Sequence, residues 1–130
     1  MSLVFTNGCF DVIHRGHIEL LRFCKGEGNT VFVGINSDKS VKRLKGESRP
    51  INNQEDRKLI LESLKYVDKV FVFDEDTPYN LIKSINPDVI VKGSDYKKEE
   101  VVGADLCEVS IFENVEGYST TKTIQNISNR

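Results

Sequence analysis

Apolar positions along this chain fall into two alternating patterns. Short, nearly continuous runs rich in β-branched residues predict strands over residues 3–6, 31–35, 70–73, 89–91 and 108–112. Between them, apolar residues recur at helical spacing. Ile18, Leu20, Leu21 and Cys24 mark a helix over residues 17–25, ended by Gly26 and Gly28. Ser37-Asp38 offers a cap for a short helix through Val41 and Leu44. Leu59, Ile60, Leu61 and Leu64 form the core stripe of a helix over residues 54–65. Thr77 as N-cap, with Pro78 at the first helical position, predicts a helix through Ile85 that stops before Pro87. A last helix opens near Ser119-Thr120-Thr121 and carries Ile124 and Ile127. Asn7-Gly8 reads as a turn pair that stops the first strand, and the polar stretch 46–53, with Pro50 inside it, as a loop.

Strands apolar on both faces, alternating with helices, predict an α/β fold: a Rossmann-like, doubly wound parallel sheet of about five strands in a single domain over residues 1–130. Such sheets bind ligands beyond the carboxyl ends of their strands, where the winding reverses. Functional residues are therefore expected in the windows 6–11, 36–38, 73–76, 92–95 and 115–121.

Composition narrows the classes. The 130 residues are 38% hydrophobic and 29% charged, an ordinary globular balance. With 18 Lys and Arg against 20 Asp and Glu, the net charge of −2 carries no basic footprint, so nucleic acid is not an expected partner. The apolar runs are too short to span a bilayer, and the start lacks the basic end and long apolar stretch of a signal peptide, so no membrane partner is expected. Three cysteines, Cys9, Cys24 and Cys107, are odd in number and widely spaced. They fit free thiols in a reducing cytoplasm better than a disulfide framework or a zinc ribbon.

The chemistry concentrates after the first strand. Thr6-Asn7-Gly8-Cys9-Phe10-Asp11 is followed by His14-Arg15-Gly16-His17, and these are the only two histidines of the chain. Their i, i+3 spacing puts both rings on one face of a helical turn. Gly16 is expected to let a ligand approach the backbone, and the helix N-terminus to add free N–H groups and a positive dipole end. The result is an anion site suited to phosphates. A zinc site built on Cys9, His14 and His17 lacks a fourth or an orienting ligand, so no metal-ligating residues are assigned. No Gly-x-Gly-x-x-Gly follows the first strand and no Walker lysine motif occurs, so phosphates must be held by histidines and helix ends.

These residues resemble a known family. Phe10-Asp11 with His14-x-Gly16-His17 is similar to the signature of the cytidylyltransferase-like nucleotidyltransferases. That histidine motif is shared with class I aminoacyl-tRNA synthetases, but 130 residues without a Lys-Met-Ser-Lys-Ser stretch do not fit a synthetase. Four further segments, residues 41–46, 49–51, 91–96 and 115–121, resemble the nucleotidyltransferase domain of ADP-heptose synthases, and the resemblance runs from Phe5 to about Ile127. Glycerol-3-phosphate cytidylyltransferases are the nearest competitor, through residues 55–68 and 116–122. They differ at Asn114-Val115, where that group has Arg-Thr, and at Tyr118, where it has Ile.

The resemblance implies adenylyl transfer from a nucleoside triphosphate, ATP, to a sugar 1-phosphate such as heptose 1-phosphate. Cytidylyl transfer to glycerol 3-phosphate and a non-catalytic nucleotide-binding module are the alternatives. It implies that His14 and His17 contact the triphosphate, with Lys45 from the basic cluster Lys42, Arg43, Lys45 and Arg49 as a further phosphate contact. Thr6, Gly8, Cys9, Phe10, Gly16, Lys92, Gly93 and Tyr118 are nucleotide-binding expectations, as are Ser119, Thr120 and Thr121 at a second helix start. Cys9 is expected to act through its main chain and not as a nucleophile. Asp11, Asp38, Lys42 and Asp95 are the substrate-binding expectations. Asp11 is read as orienting a histidine or approaching the metal through water, and Arg57 as a secondary phosphate contact. Mg²⁺ is the expected cofactor, held mainly by substrate oxygens and water. A homodimer with contacts from residues 49–65 is also implied. Related synthases often carry a sugar kinase domain; 130 residues leave no room for one, so a separate kinase is expected to supply the substrate.

Overall fold

A computed structural model describes residues 2–128. Five strands, β1 (Leu3–Gly8), β2 (Thr30–Asn36), β3 (Lys69–Phe73), β4 (Val89–Gly93) and β5 (Glu108–Phe112), form one parallel sheet in the order β3-β2-β1-β4-β5. The helices are α1 (Arg15–Glu27), α2 (Asp38–Lys45), α3 (Gln54–Glu62), α4 (Tyr79–Ile85) and α5 (Thr120–Ser128). A single 3-10 turn, Lys98–Glu100, joins β4 to β5. This is the expected doubly wound Rossmann-like sheet, and winding reverses at β1, between β2 and β4.

Continuous apolar runs fit because the pleat sends neighbouring side chains to opposite, covered faces. Val4, Val31, Val33 and Val91 join Leu21, Cys24 and Leu61 in one core cluster, while Phe5 and Ile90 join Ile82 and Val109 in the other.

Several boundaries move. Asn7 and Gly8 continue β1, paired with Gly34 and Ile35, because a parallel neighbour gives their backbone a ladder partner that turn propensity ignores. The turn comes at Phe10, which is left-handed at φ 48°. Pro78, and not Thr77, precedes the first helical residue of α4, without a side-chain cap. Helix α3 stops at Glu62, three residues before the expected end at residue 65. The Ser37 hydroxyl caps α2 by accepting from the Ser40 N–H, as expected.

Candidate active site

The end of β1 and the start of α1 build the centre of the site. His14 is the N-cap of α1, and its Nδ1 accepts from the Gly16 N–H at 3.0 Å. His17, one turn on, accepts the His14 N–H at its own Nδ1, at 3.2 Å. The two imidazoles thus cap one helix end reciprocally. Because both Nδ1 atoms accept, a neutral ring carries its proton on Nε2 in each case. The rings lie 4.0 Å apart between centroids. Burial, and then the neighbouring His14, push His17 down to about 4, and burial lowers His14 as well. At neutral pH both rings are uncharged hydrogen-bond donors.

The space at Gly16 is shared with two neighbouring side chains. A Cβ there would lie 2.8 Å from His14 Cε1 and 3.3 Å from Tyr118 Cβ. Gly16 makes room for the folded-back His14 ring and for Tyr118, which stacks on it at 6.1 Å, and it also lines the cleft along the β1–β4 junction. The α1 start also offers fewer free donors than expected, since Gly16 and His17 donate to His14.

Two clefts meet at the histidines. A cleft of about 190 Å³ runs along the β1–β4 junction, lined by Thr6, His17, Leu20, Gly93, Tyr96 and Tyr118 among others. Leu20, Val115 and the rings of Tyr96 and Tyr118 give it apolar walls, of a kind to take a nucleoside. A more polar one of about 320 Å³ brings Cys9, Phe10, Lys45 and Arg49 to the start of α5 at Ser119, Thr120 and Thr121. His14, His17 and Asp95 line both. The N–H of left-handed Phe10 finds no protein acceptor among the described residues, and Phe10 lines this cleft. Ser119 caps α5, its hydroxyl accepting from the Lys122 N–H, and Thr120 anchors the helix by donating to the Val12 carbonyl at 3.2 Å. The cleft is thus lined by a helix start, two uncharged imidazoles and two cations, an arrangement suited to a polyphosphate.

Lys92 and Gly93 shape the β1–β4 cleft. Lys92 Nζ donates to the Asn7 carbonyl at 3.0 Å and sits 4.6 Å from the Tyr96 ring centre; burial lowers it to about 8. Thr6 Oγ1 donates to the Val91 carbonyl at 2.9 Å, tying β1 to β4 beneath the cleft. A Cβ on Gly8 would come within 3.3 Å of the Phe10 ring, so Gly8 admits that side chain. Burial raises the Cys9 thiol above its usual value, which keeps it protonated, and the Cys9 carbonyl is engaged by Arg57.

Four expectations change. Asp11 does not meet a histidine. Its buried carboxylate accepts from the Ile51 and Asn52 N–H groups at 2.7 and 2.8 Å and from Arg49 Nε at 3.2 Å. Asp38 accepts from Arg57 at 2.9 Å and, with Lys42, lines a separate pocket beside residues 50–53, away from the histidines. Arg57 is fully buried and donates to the Cys9, Asn36 and Asn52 carbonyls, so it reaches no phosphate. Asp95 does reach the site, and its carboxylate accepts from Asn114 at 3.0 Å. Asn114, Tyr96 and the position of Arg49 were missed. Asn114 lies two residues beyond β5, inside the zone where ligand-edge residues collect, but the window was opened one residue too late.

A family model described as cytidylyltransferase-like matches residues 5–126, almost the whole of this sheet and both clefts. The chain belongs to the cytidylyltransferase-like family. Among its relatives, the bifunctional protein HldE of Wolinella succinogenes is 57% identical over 97% of this chain and 27% of its own length. HldE of Campylobacter concisus is likewise 57% identical over 97% of this chain and 27% of its own. The chain thus spans about a quarter of these curated relatives. A solved lipopolysaccharide core biosynthesis protein from Thermoplasma volcanium is 25% identical, with a TM-score of 0.76 over 89% of this chain and 99% of its own. A pantoate-beta-alanine ligase from Francisella tularensis shares the fold at 16% identity, with a TM-score of 0.62 over 99% of this chain and 72% of its own. No helix among the described residues is long and apolar enough to cross a membrane.

Proposed function

We propose that this cytidylyltransferase-like chain transfers an adenylyl group from ATP to a sugar 1-phosphate, with heptose 1-phosphate as the acceptor, and releases pyrophosphate. The observation that carries this reading is the reciprocal pair His14–His17, two uncharged imidazoles with their protons on Nε2, standing where the nucleoside and phosphate clefts meet.

An acceptor phosphate oxygen attacks the α-phosphorus, a P–O bond forms, and the bond to the pyrophosphate oxygen breaks. The acceptor monoester is already largely dianionic at neutral pH, its second pKa being about 6, so no general base is needed. Catalysis rests on positioning and charge stabilisation. His14 and His17 donate to the oxygens on which charge builds, Lys45 neutralises it, and the α5 start receives the departing phosphates. The Cys9–Phe10 turn holds the triphosphate by its main chain.

Mg²⁺ fits as a companion of the triphosphate, since it keeps much of its water and needs few protein ligands. Asp95, which lines both clefts, would hold it or the ribose. When bound, the ion would neutralise charge on the bridging phosphates.

The reaction belongs in the cytoplasm, where ATP is supplied and where three free thiols persist. The chain is expected to act as a homodimer. Leu59 and Ile60 of α3, 64% and 39% exposed, together with Val72 of the edge strand β3, supply apolar surface for a second copy. Sedimentation of the wild type and of Leu59→Asp tests this, and a wild-type monomer at micromolar concentration excludes it.

Pyrophosphate release, with Mg²⁺ and one triphosphate at a time, tests the activity. Release with ATP and heptose 1-phosphate supports the reading. Release only with CTP and glycerol 3-phosphate, or triphosphate binding without any release, replaces it by cytidylyl transfer or by a binding module.

A further inference from the structure

A third compartment adjoins the two clefts. It is a groove of about 390 Å³ between the loop 46–53 and α5, lined by Ser48, Ile51, Ile124 and Gln125. It shares Lys45, Arg49 and Thr121 with the phosphate cleft and no residue with the nucleoside cleft. The three compartments therefore run in series: nucleoside cleft, phosphate cleft, groove. A transfer between two phosphorylated substrates requires that order, with the nucleoside and the acceptor body at opposite ends and their phosphates meeting in the middle.

Arg49 stands at the border. Its side chain is only 13% exposed, and its Nε is bound to the fully buried carboxylate of Asp11 at 3.2 Å. The same carboxylate takes the Ile51 and Asn52 N–H groups, so the loop and the guanidinium are set by one anchor. The terminal amino groups of Arg49 have no side-chain or main-chain acceptor among the described residues, and the residue lines the phosphate cleft on one side and the groove on the other. A guanidinium held at Nε by a carboxylate and open at its two amino groups is a fork for a phosphate.

The geometry points to this groove as the acceptor site: Arg49, with Lys45, grips the acceptor phosphate, Asp11 positions Arg49, and the polar edge formed by Ser48 and Gln125 receives the sugar. This deepens the proposed adenylyl transfer and rests on it for the nature of the acceptor. The chemistry recognised is a phosphate monoester on a polyhydroxylated body.

Steady-state kinetics with ATP and heptose 1-phosphate provide the first test. Arg49→Ala is expected to raise the acceptor KM at least tenfold with less than a twofold change in the ATP KM, and Arg49→Lys to recover only part of the loss. Asp11→Asn should follow Arg49→Ala in this KM split. Gln125→Trp, which fills the groove, should raise the acceptor KM alone. An ATP KM that rises as much as the acceptor KM overturns the assignment. Titration of inorganic phosphate into protein saturated with a non-hydrolysable ATP analogue needs no turnover. It separates failure of this site from failure of the adenylyl-transfer reading. Wild type should bind phosphate, Arg49→Ala at least tenfold more weakly, and Gln125→Trp as well as wild type. Equal affinity for wild type and Arg49→Ala, or no binding to wild type, overturns the site even if the enzyme turns over.

Discussion

Unfolded, His17 takes up a proton near its ordinary 6.5; folded, burial and the neighbouring His14 defer that uptake to about 4. Over this interval the unfolded chain binds more protons, so stability present above about pH 6.5 is lost as pH falls toward 4. The loss has a ceiling of about 3 kcal/mol at 1.36 kcal/mol per pKa unit. Urea denaturation of wild type and His17→Gln between pH 7 and 4.5 should show a shallower decline in the variant; parallel declines would remove His17 as the source. Cys9 supplies a second residue-level expectation. Its thiol is held protonated and its carbonyl is taken by Arg57, so Cys9→Thr should keep turnover within a fewfold of wild type. A folded variant without turnover would give the thiol itself a role. That both histidines and the Cys9–Phe10 turn share the edge beyond β1 was legible from residue type and position. The second job of Asp11 was not, because its partners lie about 40 residues away and no local pattern announces them.

At the scale of elements, the end of β4 and the segment after β5 approach each other through the side chains beside Gly93. A Cβ on Gly93 would lie 2.2 Å from Asn114 Oδ1 and 3.0 Å from Asp95 Oδ1. Gly93→Ala should push the exposed Asn114 and Asp95 side chains aside at a cost of about 0.5 kcal/mol or less, and raise the ATP KM, because the displaced groups line the β1–β4 cleft. Gly26, inside α1, meets nothing within 4 Å. Gly26→Ala should therefore stabilise by about 0.5–1 kcal/mol from helix propensity alone. Thermal melts of the pair provide the measurement, and a Gly93→Ala melt equal to that of Gly26→Ala would contradict the close approach. Strand and helix identity could be read ahead of the structure because core-facing periodicity is local. Element ends could not: a ladder partner extended β1 over Asn7 and Gly8, against their turn preference.

At the scale of the whole molecule, Arg57 joins parts that the chain separates. From α3 it donates to the carbonyls that follow β1 and end β2, to the loop at Asn52 and to Asp38 of α2. It is 0% exposed. Arg57→Met leaves these acceptors without their donor and Asp38 without its partner, and should cost about 3–5 kcal/mol. Arg57→Lys should rescue little, since an ammonium lacks the planar fork that spans four acceptors. Chemical denaturation measures both, and a cost below about 1 kcal/mol for Arg57→Met would show that water replaces the network.

The sequence by itself determined the sheet and the edge at which the histidine pair stands. Apolar alternation requires two covered faces, and a histidine pair after the first strand of a parallel sheet has to stand at the ligand edge. Only the tertiary structure decided how the charged residues divide. Asp11 and Arg57 became buried anchors, Asp38 and Lys42 turned to a separate pocket, and Lys45 and Arg49 came to line the cleft beside the histidines. Burial and pairing of a charge depend on which distant segments supply its partners, and periodicity along the chain does not encode that.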